Sequence, residues 1–250
     1  MQRILFCALL MIGACVCNTS ANADTIFFQP GFTDEVWRFD TDSGTETFVG
    51  NMGISAGSMG FSFLGDTLYA FNRDDGGLYT VDTSSGAASL VGFSGLNSAE
   101  SLTFDGAGNL YTMEGFALIQ LSILDGSATS LGSLSTNIDG LSYDPISDRI
   151  IGVDSGTLYE IDPGTLMSTS IGSTSGADET LAFGPDGTLY GHGDDFMFYE
   201  IDLTTGGATF IGNTSSRFVF ASAVSQVIPE PGSFLICAGS IGMLVLRRRR

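Results

Sequence analysis

The sequence predicts an all-β fold built from five similar sheets, and three observations support this prediction. The same phrase of alternating apolar residues begins at five positions: Val36, Leu78, Leu118, Leu158 and Phe198. Its anchor positions recur about 40 residues apart, the length of one four-stranded propeller blade, at Asp40, Asp82, Ser122, Asp162 and Asp202. A second phrase, two short apolar runs split by turn residues, alternates with the first over 60–72, 101–114, 141–154 and 181–193. Together these repeats predict a five-bladed β-propeller with four strands in each blade.

The repeat from Glu100 to Gly132 shows how each strand of a blade is assigned. Strands A to D are predicted in this order: Ser101 to Phe104, Asn109 to Met113, Ala117 to Leu121 and Ala128 to Leu131. Asp105-Gly106 and Asp125-Gly126 supply the A–B and C–D turns, because glycine permits a positive φ and aspartate bonds the local backbone. The apolar repeat positions are expected to pack blade against blade: Phe63, Leu68, Tyr79, Phe104, Leu110, Tyr143, Ile161, Phe183, Leu189 and Ile201.

The two ends of the repeat region each hold an incomplete unit, and the missing pieces match. Thr25 to Phe28 and the phrase after Val36 supply strands B, C and D without an A, whereas Phe218 to Val224 supplies an A alone. Together they predict a composite fifth blade that closes the ring and pairs strand edges that would otherwise be open. The alternative fold, an open β-solenoid, would leave these half-units as unpaired ends.

Residues 1–23 are predicted to form a secretory signal peptide. Arg3 precedes an apolar run from Ile4 to Val16. The small residues Ala21 and Ala23 flank Asn22 in a cleavage site that would make Asp24 the first residue of the mature chain. In the alternative, residues 12–15 form a lipobox and lipid is attached at Cys15.

Residues 227–250 carry three features in a fixed order. Pro229, Glu230 and Pro231 come first, an apolar run covers 233–246, and four arginines follow: Arg247, Arg248, Arg249 and Arg250. This arrangement resembles the PEP-CTERM sorting signal of Gram-negative bacteria, also named the C-terminal domain of ice-binding proteins. The resemblance implies a transmembrane segment over 233–246 with its arginines in the cytoplasm, and processing by an exosortase. The alternative is a plain membrane anchor, although this run spans only about 21 Å of helix against a roughly 30 Å hydrocarbon core.

Composition separates residues 24–226 from both ends. All four cysteines lie outside this region, at Cys7, Cys15, Cys17 and Cys237, so it has no thiol nucleophile and no cysteine metal ligand. Its charged residues are four arginines and 27 acids, without lysine. A body this acidic is repelled by phosphate backbones, which argues against nucleic acid as a partner and leaves a surface that attracts divalent cations or neutral glycans. In the alternative, the charge only keeps the protein soluble.

A candidate site follows from the placement of acids in the repeats. In a propeller the D–A and B–C loops open on one face, and the repeat alignment places these residues just before the A strands: Met59, Glu100, Asp139, Glu179 and Phe220. The B–C loops add acids that include Glu114 and Asp154. Ca²⁺ takes several oxygen ligands. The three acids before the A strands and the two in the B–C loops therefore predict a cation site at one mouth of the channel; they are Glu100, Asp139, Glu179, Glu114 and Asp154. In the alternative, they are solvated loop residues.

Other candidate chemistry is weaker. The stretch from Ala99 to Tyr111 is similar to segments of lactonase-like propellers, a resemblance that implies metal binding at Glu100 and Glu179. Asp40 to Gly44 begins like a Ca²⁺ loop, but its repeat counterparts lack the second acid, so we interpret it as a hairpin turn. The single histidine, His192, is interpreted as a loop residue, because a nucleophilic triad is hard to assemble around it. No catalytic residue is predicted.

The sequence thus predicts an exported binding or structural module, sorted to the cell surface or extracellular matrix of a Gram-negative bacterium. The expected partners are the Sec machinery and an exosortase during export, the inner membrane at least transiently, and then exopolysaccharide or a surface protein. The alternative function is a small metal-dependent hydrolase or lactonase at the acidic mouth. The body also resembles small bacterial propellers with GxLYxID and TGxATxIG repeats, a likeness that specifies the fold and no chemistry.

Overall fold

The structure, a computed structural model, describes residues 24–54, 59–99, 101–174, 176–193, 196–215 and 219–224. Over these ranges, twenty strands form five four-stranded antiparallel sheets. The innermost strands of the five sheets contact one another in turn and close a ring around a central channel. The five-bladed β-propeller predicted from the repeats is confirmed, and the open solenoid is wrong.

Each blade is described from the channel outward. Blade one contains β20 (Val219–Val224), β1 (Thr25–Pro30), β2 (Glu35–Asp40) and β3 (Thr45–Asn51). Blade two contains β4 (Met59–Leu64), β5 (Thr67–Asn72), β6 (Gly77–Val81) and β7 (Ala88–Phe93). Blade three contains β8 (Thr103–Phe104), β9 (Leu110–Glu114), β10 (Ala117–Leu121) and β11 (Ala128–Ser133). Blade four contains β12 (Gly140–Asp144), β13 (Arg149–Asp154), β14 (Thr157–Asp162) and β15 (Met167–Ser173). Blade five contains β16 (Thr180–Phe183), β17 (Leu189–His192), β18 (Met197–Ile201) and β19 (Ala208–Asn213).

Blade one is the composite blade that the sequence predicts. Strands β1 and β20 pair in antiparallel register, with Ile26 opposite Val224 and Phe27 opposite Ala223. Phe218, which the prediction placed in the last strand, lies outside the described residues. The first and last strands of the ring are therefore hydrogen-bonded neighbours, and the edge of β1 that faces the channel is paired.

Blade three departs from its predicted strand A. The strand was expected over Ser101 to Phe104, but β8 contains only Thr103 and Phe104. The carbonyl oxygen of Ser101 accepts a hydrogen bond from the Thr112 hydroxyl. Thr103 pairs with Tyr111, whereas Ala99 bridges to Glu114. The register therefore shifts by one residue, which interrupts the ladder before Thr103.

The hydrophobic core is divided into five clusters, one at each boundary between blades. At the junction of blades five and one, Ile26, Phe28 and Phe39 pack against Tyr190 and Phe198. Burying a side chain of this size contributes about 1.5–3 kcal/mol, so each boundary is a separate source of stability. The ten apolar repeat positions named above all lie in these clusters, as predicted.

Neighbouring blades also touch through their main chains at the rim. A Cβ added to Gly92, at the end of the phrase in blade two, would collide with the carbonyl oxygen of Asp125 in the C–D turn of blade three. The turn residue Gly126 faces Gly92 in the same contact and has a φ of +74°. The glycine that ends the phrase is therefore needed for blade-to-blade contact, which explains why it recurs.

Candidate functional site

The central channel has two mouths, which are defined by the direction of the innermost strands. The D–A mouth lies where these strands begin, beside the B–C loops, and the A–B mouth lies where they end. Because Ile26 at the start of β1 pairs with Val224 at the end of β20, both strands meet at the A–B mouth. The chain therefore enters and leaves the ring side by side on this face.

Asp139 and Glu179 hold the same repeat position at the D–A mouth, one residue before β12 and β16. The Asp139 amide donates to the Val153 carbonyl oxygen at 2.8 Å, and the Glu179 amide donates to that of His192 at 3.1 Å. A Cβ added at Gly140 would lie 2.9 Å from the Glu179 carbonyl oxygen, so the two main chains are in contact. The structure brings these two predicted site residues to adjacent positions around the mouth, and both side chains are half-buried.

Glu114 and Asp154 end strand B in blades three and four, at the same mouth. Glu114 Oε1 accepts a hydrogen bond from the Asn97 amide at 3.1 Å, and Asp154 Oδ1 accepts one from the Ser155 hydroxyl at 3.1 Å. Each carboxylate is thus engaged with a nearby loop residue. Glu100, the fifth predicted acid, lies outside the described residues, although its neighbour Ala99 bridges to Glu114.

Metal binding at this mouth stays a prediction. Within the described ranges, no three histidine, cysteine, aspartate or glutamate side chains are grouped so as to hold a metal ion, and Glu100 is not part of those ranges. The Asp40 segment is a hairpin turn, as interpreted from its repeats: Asp40 Oδ1 accepts hydrogen bonds from the Ser43 hydroxyl and amide, both at 2.7 Å. These bonds favour the ionised carboxylate and lower the pKa of Asp40.

A cavity of about 410 Å³ occupies the channel on the side of the A–B mouth. Its wall combines the innermost strands with the turns that follow them, and its residues include Phe63, Phe104, Tyr143, Phe183 and Asp105. The candidate ligand site predicted from the repeats lies at the opposite mouth, and this cavity was not predicted. One feature of the sequence could have predicted the cavity: four of the A strands have an aromatic residue at the same repeat position.

Hydroxyl groups line this cavity, and two of them hold the ring together. Ser62 Oγ accepts a hydrogen bond from the Phe104 amide of the next blade at 3.2 Å, and Ser142 Oγ accepts one from the Phe183 amide at 2.9 Å. These amides lie on the channel side of the innermost strands, where no further strand can pair with them. The serines satisfy buried donors, so their first role is structural.

His192 is a buried strand residue, and its interpretation as a loop residue is wrong. It ends β17, its side chain is fully buried, and its ring contacts Phe198 edge-on with centroids 5.1 Å apart. Its Nε2 lies 3.0 Å from Thr214 Oγ1, whereas Nδ1 has no hydrogen-bond partner within the described part of the chain. Burial lowers the pKa of His192 to about 3, because the low-polarity surroundings disfavour the imidazolium. The ring is therefore neutral at physiological pH and shows no arrangement for catalysis.

Tyrosine–carboxylate hydrogen bonds, which were not predicted from the sequence, occur at the A–B mouth. Tyr190 donates to Asp24 Oδ2 at 3.0 Å, across the boundary between blades five and one. Tyr143 donates to Asp148 Oδ1 at 2.8 Å within blade four. Burial and the adjacent carboxylate raise the pKa of Tyr143 to about 12. These hydrogen bonds hold turns at the A–B mouth in place. Part of the pattern is visible in the sequence, because Tyr190 is the tyrosine that follows leucine in the repeats.

The outer rim exposes large apolar side chains on three consecutive blades. Phe210 of blade five, Phe48 of blade one and Leu90 of blade two share one position on strand D, and each is about half exposed. Blades three and four have Ser130 and Ser170 at this position. These two blades instead expose Leu131 and Met167 from strand D, so single exposed apolar side chains occur on every blade, as is usual for a protein surface.

The terminal segments lie outside the described residues. This applies to the cleavage residues Ala21 and Ala23 and to the whole sorting motif from Pro229 to Arg250. None of the described ranges forms a helix with the length and apolar character that a membrane crossing needs.

Comparison with known proteins supports the fold alone. No family model and no curated protein matches the sequence. Among solved structures, a chain from work on the de novo evolutionary emergence of a symmetrical protein shaped by folding constraints is 19% identical, with a TM-score of 0.54 over 81% of this chain and 98% of that chain. A chain from the crystal structure of a nidogen/laminin complex is 11% identical, with a TM-score of 0.55 over 81% and 98% of the two chains. At such low identity, this likeness shows that the protein is a β-propeller and does not assign its function.

Proposed function

We propose that this protein is an exported binding module of the cell surface or extracellular matrix, which presents its D–A mouth to partners. The observation that supports this orientation is the pairing of Ile26 with Val224 at the A–B mouth. Because both terminal segments begin at this face, a membrane attachment through either of them turns the D–A mouth away from the membrane. The acids Asp139 and Glu179 then face the surroundings of the cell.

The export route in this proposal comes from the two terminal sequences. The Sec machinery exports the chain, cleavage after Ala23 removes residues 1–23, and an exosortase processes the PEP-CTERM segment that begins at Pro229. The cysteine-free body is compatible with this route, because its folding does not depend on oxidation outside the cytoplasm.

The proposed ligand is exopolysaccharide, bound with the help of Ca²⁺ at the D–A mouth. The body has four arginines against 27 acids, so direct contact with an anionic polymer is unfavourable. Ca²⁺ removes this obstacle because it binds carboxylates and sugar hydroxyls together, using several oxygen ligands. Asp139 and Glu179 lie on adjacent blades and have half-buried side chains, which suits such a shared ion.

The test is a pull-down of the full-length secreted protein with exopolysaccharide, in Ca²⁺ and in EDTA. We expect Ca²⁺-dependent binding that falls at least about tenfold in the Asp139→Asn/Glu179→Gln variant, the loss expected from about 1.4 kcal/mol or more of interaction. Asp66→Asn, which removes an exposed carboxylate at the A–B mouth, is the matched control and should bind normally. Equal binding by the unmodified protein, the double variant and the Asp66→Asn control would contradict the proposed site. Binding that EDTA does not affect would contradict it as well.

A metal-dependent hydrolase or lactonase is the second candidate, because the same adjacent acids could hold a catalytic cation. The purified protein is assayed with lactone and glycoside substrates in the presence of divalent cations. If the protein turns over a substrate and the Glu179→Gln variant does not, the result would support the hydrolase or lactonase function in place of the binding function. Binding without turnover would retain the first proposal.

A further inference from the structure

We infer that the α-ammonium group created at Asp24 by removal of residues 1–23 docks in an anionic pocket at the A–B mouth and fastens blade one to blade five. This inference rests on the proposed export step, which makes Asp24 the first residue of the mature protein. The pocket consists of Asp24 itself with Thr41, Asp42, Asp186 and Tyr190.

The nitrogen of Asp24 already occupies a fixed position in the fold. It donates a hydrogen bond to the Thr41 hydroxyl at 3.1 Å. The Thr41 amide returns a hydrogen bond to the Asp24 carbonyl oxygen at 3.1 Å. These two hydrogen bonds hold Asp24 against Thr41 just before the start of β1, so a new charge on the nitrogen would appear at a defined place.

Carboxylates of blades one and five lie beside the side chain of the same residue, Asp24. Tyr190 of blade five donates to Asp24 Oδ2 at 3.0 Å. A Cβ added to Gly184, in the turn after β16, would collide with Asp24 Oδ2 and lie 3.1 Å from Asp186 Oδ1. The Asp24 and Asp186 carboxylates therefore flank one spot on the boundary between blades five and one.

This arrangement is electrostatically unfavourable while Asp24 is linked to Ala23. Burial raises the pKa of Asp24, and the negative charges of Asp186 and Asp42 raise it further. The nearby cation Arg38 is two residues from Asp40, whose pKa is lowered mainly by the hydrogen bonds from Ser43 and slightly by the Arg38 charge. A peptide nitrogen carries no charge to offset the three carboxylates.

Cleavage after Ala23 replaces this neutral peptide nitrogen with a free amine. A free α-amine is protonated at neutral pH, since its ordinary pKa is about 7.7–8.0. The resulting cation lies within hydrogen-bond distance of Thr41 and beside the Asp24 carboxylate, and opposite charges at a few ångströms attract even near a protein surface. Removal of the leader would thus stabilise the closure of the ring, and the uncleaved precursor would have the weaker junction.

The sign of the pH dependence follows from this attraction. A group whose charged form is favoured in the folded state has its pKa raised there, so the ammonium contribution is complete below about pH 7.7. It is lost as the pH rises through the folded-state value. The stabilisation should therefore be present near neutral pH and disappear in alkaline solution.

The test compares three forms of the chain that begins at Asp24 and ends at Arg250: one with a free amine, one acetylated on that amine, and one that retains Ala23. We expect the free-amine form to have a Tm about 2–4 °C above the other two at pH 6.5, the shift that about 1 kcal/mol gives in a domain of this size. The gap should close by pH 10. The Asp186→Asn substitution should reduce the difference in Tm between the free-amine and acetylated forms, whereas Asp66→Asn should leave this difference unchanged.

Two measurements separate this inference from the proposed export. Equal Tm values for the free and acetylated forms at pH 6.5, or a gap that persists at pH 10, would overturn the docking of the ammonium group. N-terminal sequencing of the exported protein tests the cleavage itself. A first residue other than Asp24 would overturn the export step, whatever the three purified forms show.

Discussion

Leu166 and Gly132 fit against each other across the boundary between blades three and four: a Cβ added to Gly132 would collide with Leu166 Cδ1. Leu166 has a φ of +59° at the C–D turn position where the other blades have glycine. Gly132 has a φ of +138°, in a conformation that side chains rarely adopt. The pair therefore replaces, at one boundary, the main-chain contact seen between Gly92 and Gly126.

Gly132→Ala should lower the free energy of unfolding by about 3 kcal/mol, since it combines an unfavourable backbone conformation with overpacking against Leu166. Gly115→Ala is the control, because Gly115 also has a positive φ, of +57°, but no neighbouring atom within 4 Å of the added Cβ. That variant should lose only about 1 kcal/mol. Urea unfolding followed by circular dichroism measures both values, and equal losses would contradict the proposed contact.

His192→Met should weaken the acid sensitivity of the protein. The pKa of His192 is lowered to about 3 in the fold, below its unfolded value of about 6.5. Its neutral form therefore contributes stability that is complete above about pH 6.5 and is lost, by up to about 1.4 kcal/mol per pH unit, as the pH falls toward 3. Methionine suits the site because Met113 is buried at the same position in blade three.

The measurement for His192 is the free energy of unfolding of both proteins from pH 7 to pH 4. Many carboxylates titrate over this range, but their contribution is shared and cancels in the difference between the proteins. The difference should change with pH in favour of the variant. A constant difference would mean that His192 accepts a proton in the folded state as readily as in the unfolded one.

A disulfide between residues 26 and 224 should stabilise the closed ring. Directly opposed residues of antiparallel strands have Cα atoms about 4.5–5.5 Å apart, within the range for a disulfide. The double variant Ile26→Cys/Val224→Cys is made in the chain that begins at Asp24, with Cys237→Ser so that no other thiol remains. Because the bond would close a loop of nearly the whole body, we expect about 4–5 kcal/mol of stabilisation on oxidation.

The reduced form of the same double variant is the control for this experiment, since it carries the same loss of packing. Denaturant midpoints of the oxidised and reduced forms are compared directly. Failure of the two thiols to form a disulfide in the folded protein would contradict the β1–β20 pairing on which the ring depends.

Tyr190→Phe should destabilise the junction of blades five and one by about 1 kcal/mol, the usual value for the loss of one hydrogen bond. The hydroxyl that is removed donates to Asp24 Oδ2 at 3.0 Å. Tyr159→Phe, on strand β14 of blade four, removes a tyrosine hydroxyl away from this junction and should have a smaller effect. Thermal unfolding of the two variants tests the assignment, and a larger loss in Tyr159→Phe would count against it.

Most of the architecture could be predicted from the sequence because alternation and turn chemistry are local properties. The Asp82 side chain, for example, accepts hydrogen bonds from the amides of Ser84 and Ser85, and this turn chemistry is visible in the printed repeat. The composite blade could also be predicted, since the missing strand at one end and the surplus strand at the other are counted directly along the chain.

The sites were harder to predict because they depend on what the fold brings together. The burial of His192 follows from its pairing with Phe198 and its contact with Thr214, neither of which is evident from the glycines that flank it. The cavity at the A–B mouth depends on how far the five A strands stand apart, a distance set by packing at every boundary. The adjacency of Asp139 and Glu179, in contrast, followed from the repeat alignment alone.

The pairing of Ile26 with Val224 also sets the order in which the protein can fold. These residues are about 200 positions apart, so their contact carries a large loop-closure entropy and belongs to the slow class of long-range β pairings. During synthesis the ring cannot close until its last strand has left the ribosome, while the blades in between already expose apolar faces. Until that strand is available, the faces of blades two and five that pack against blade one have no complete partner.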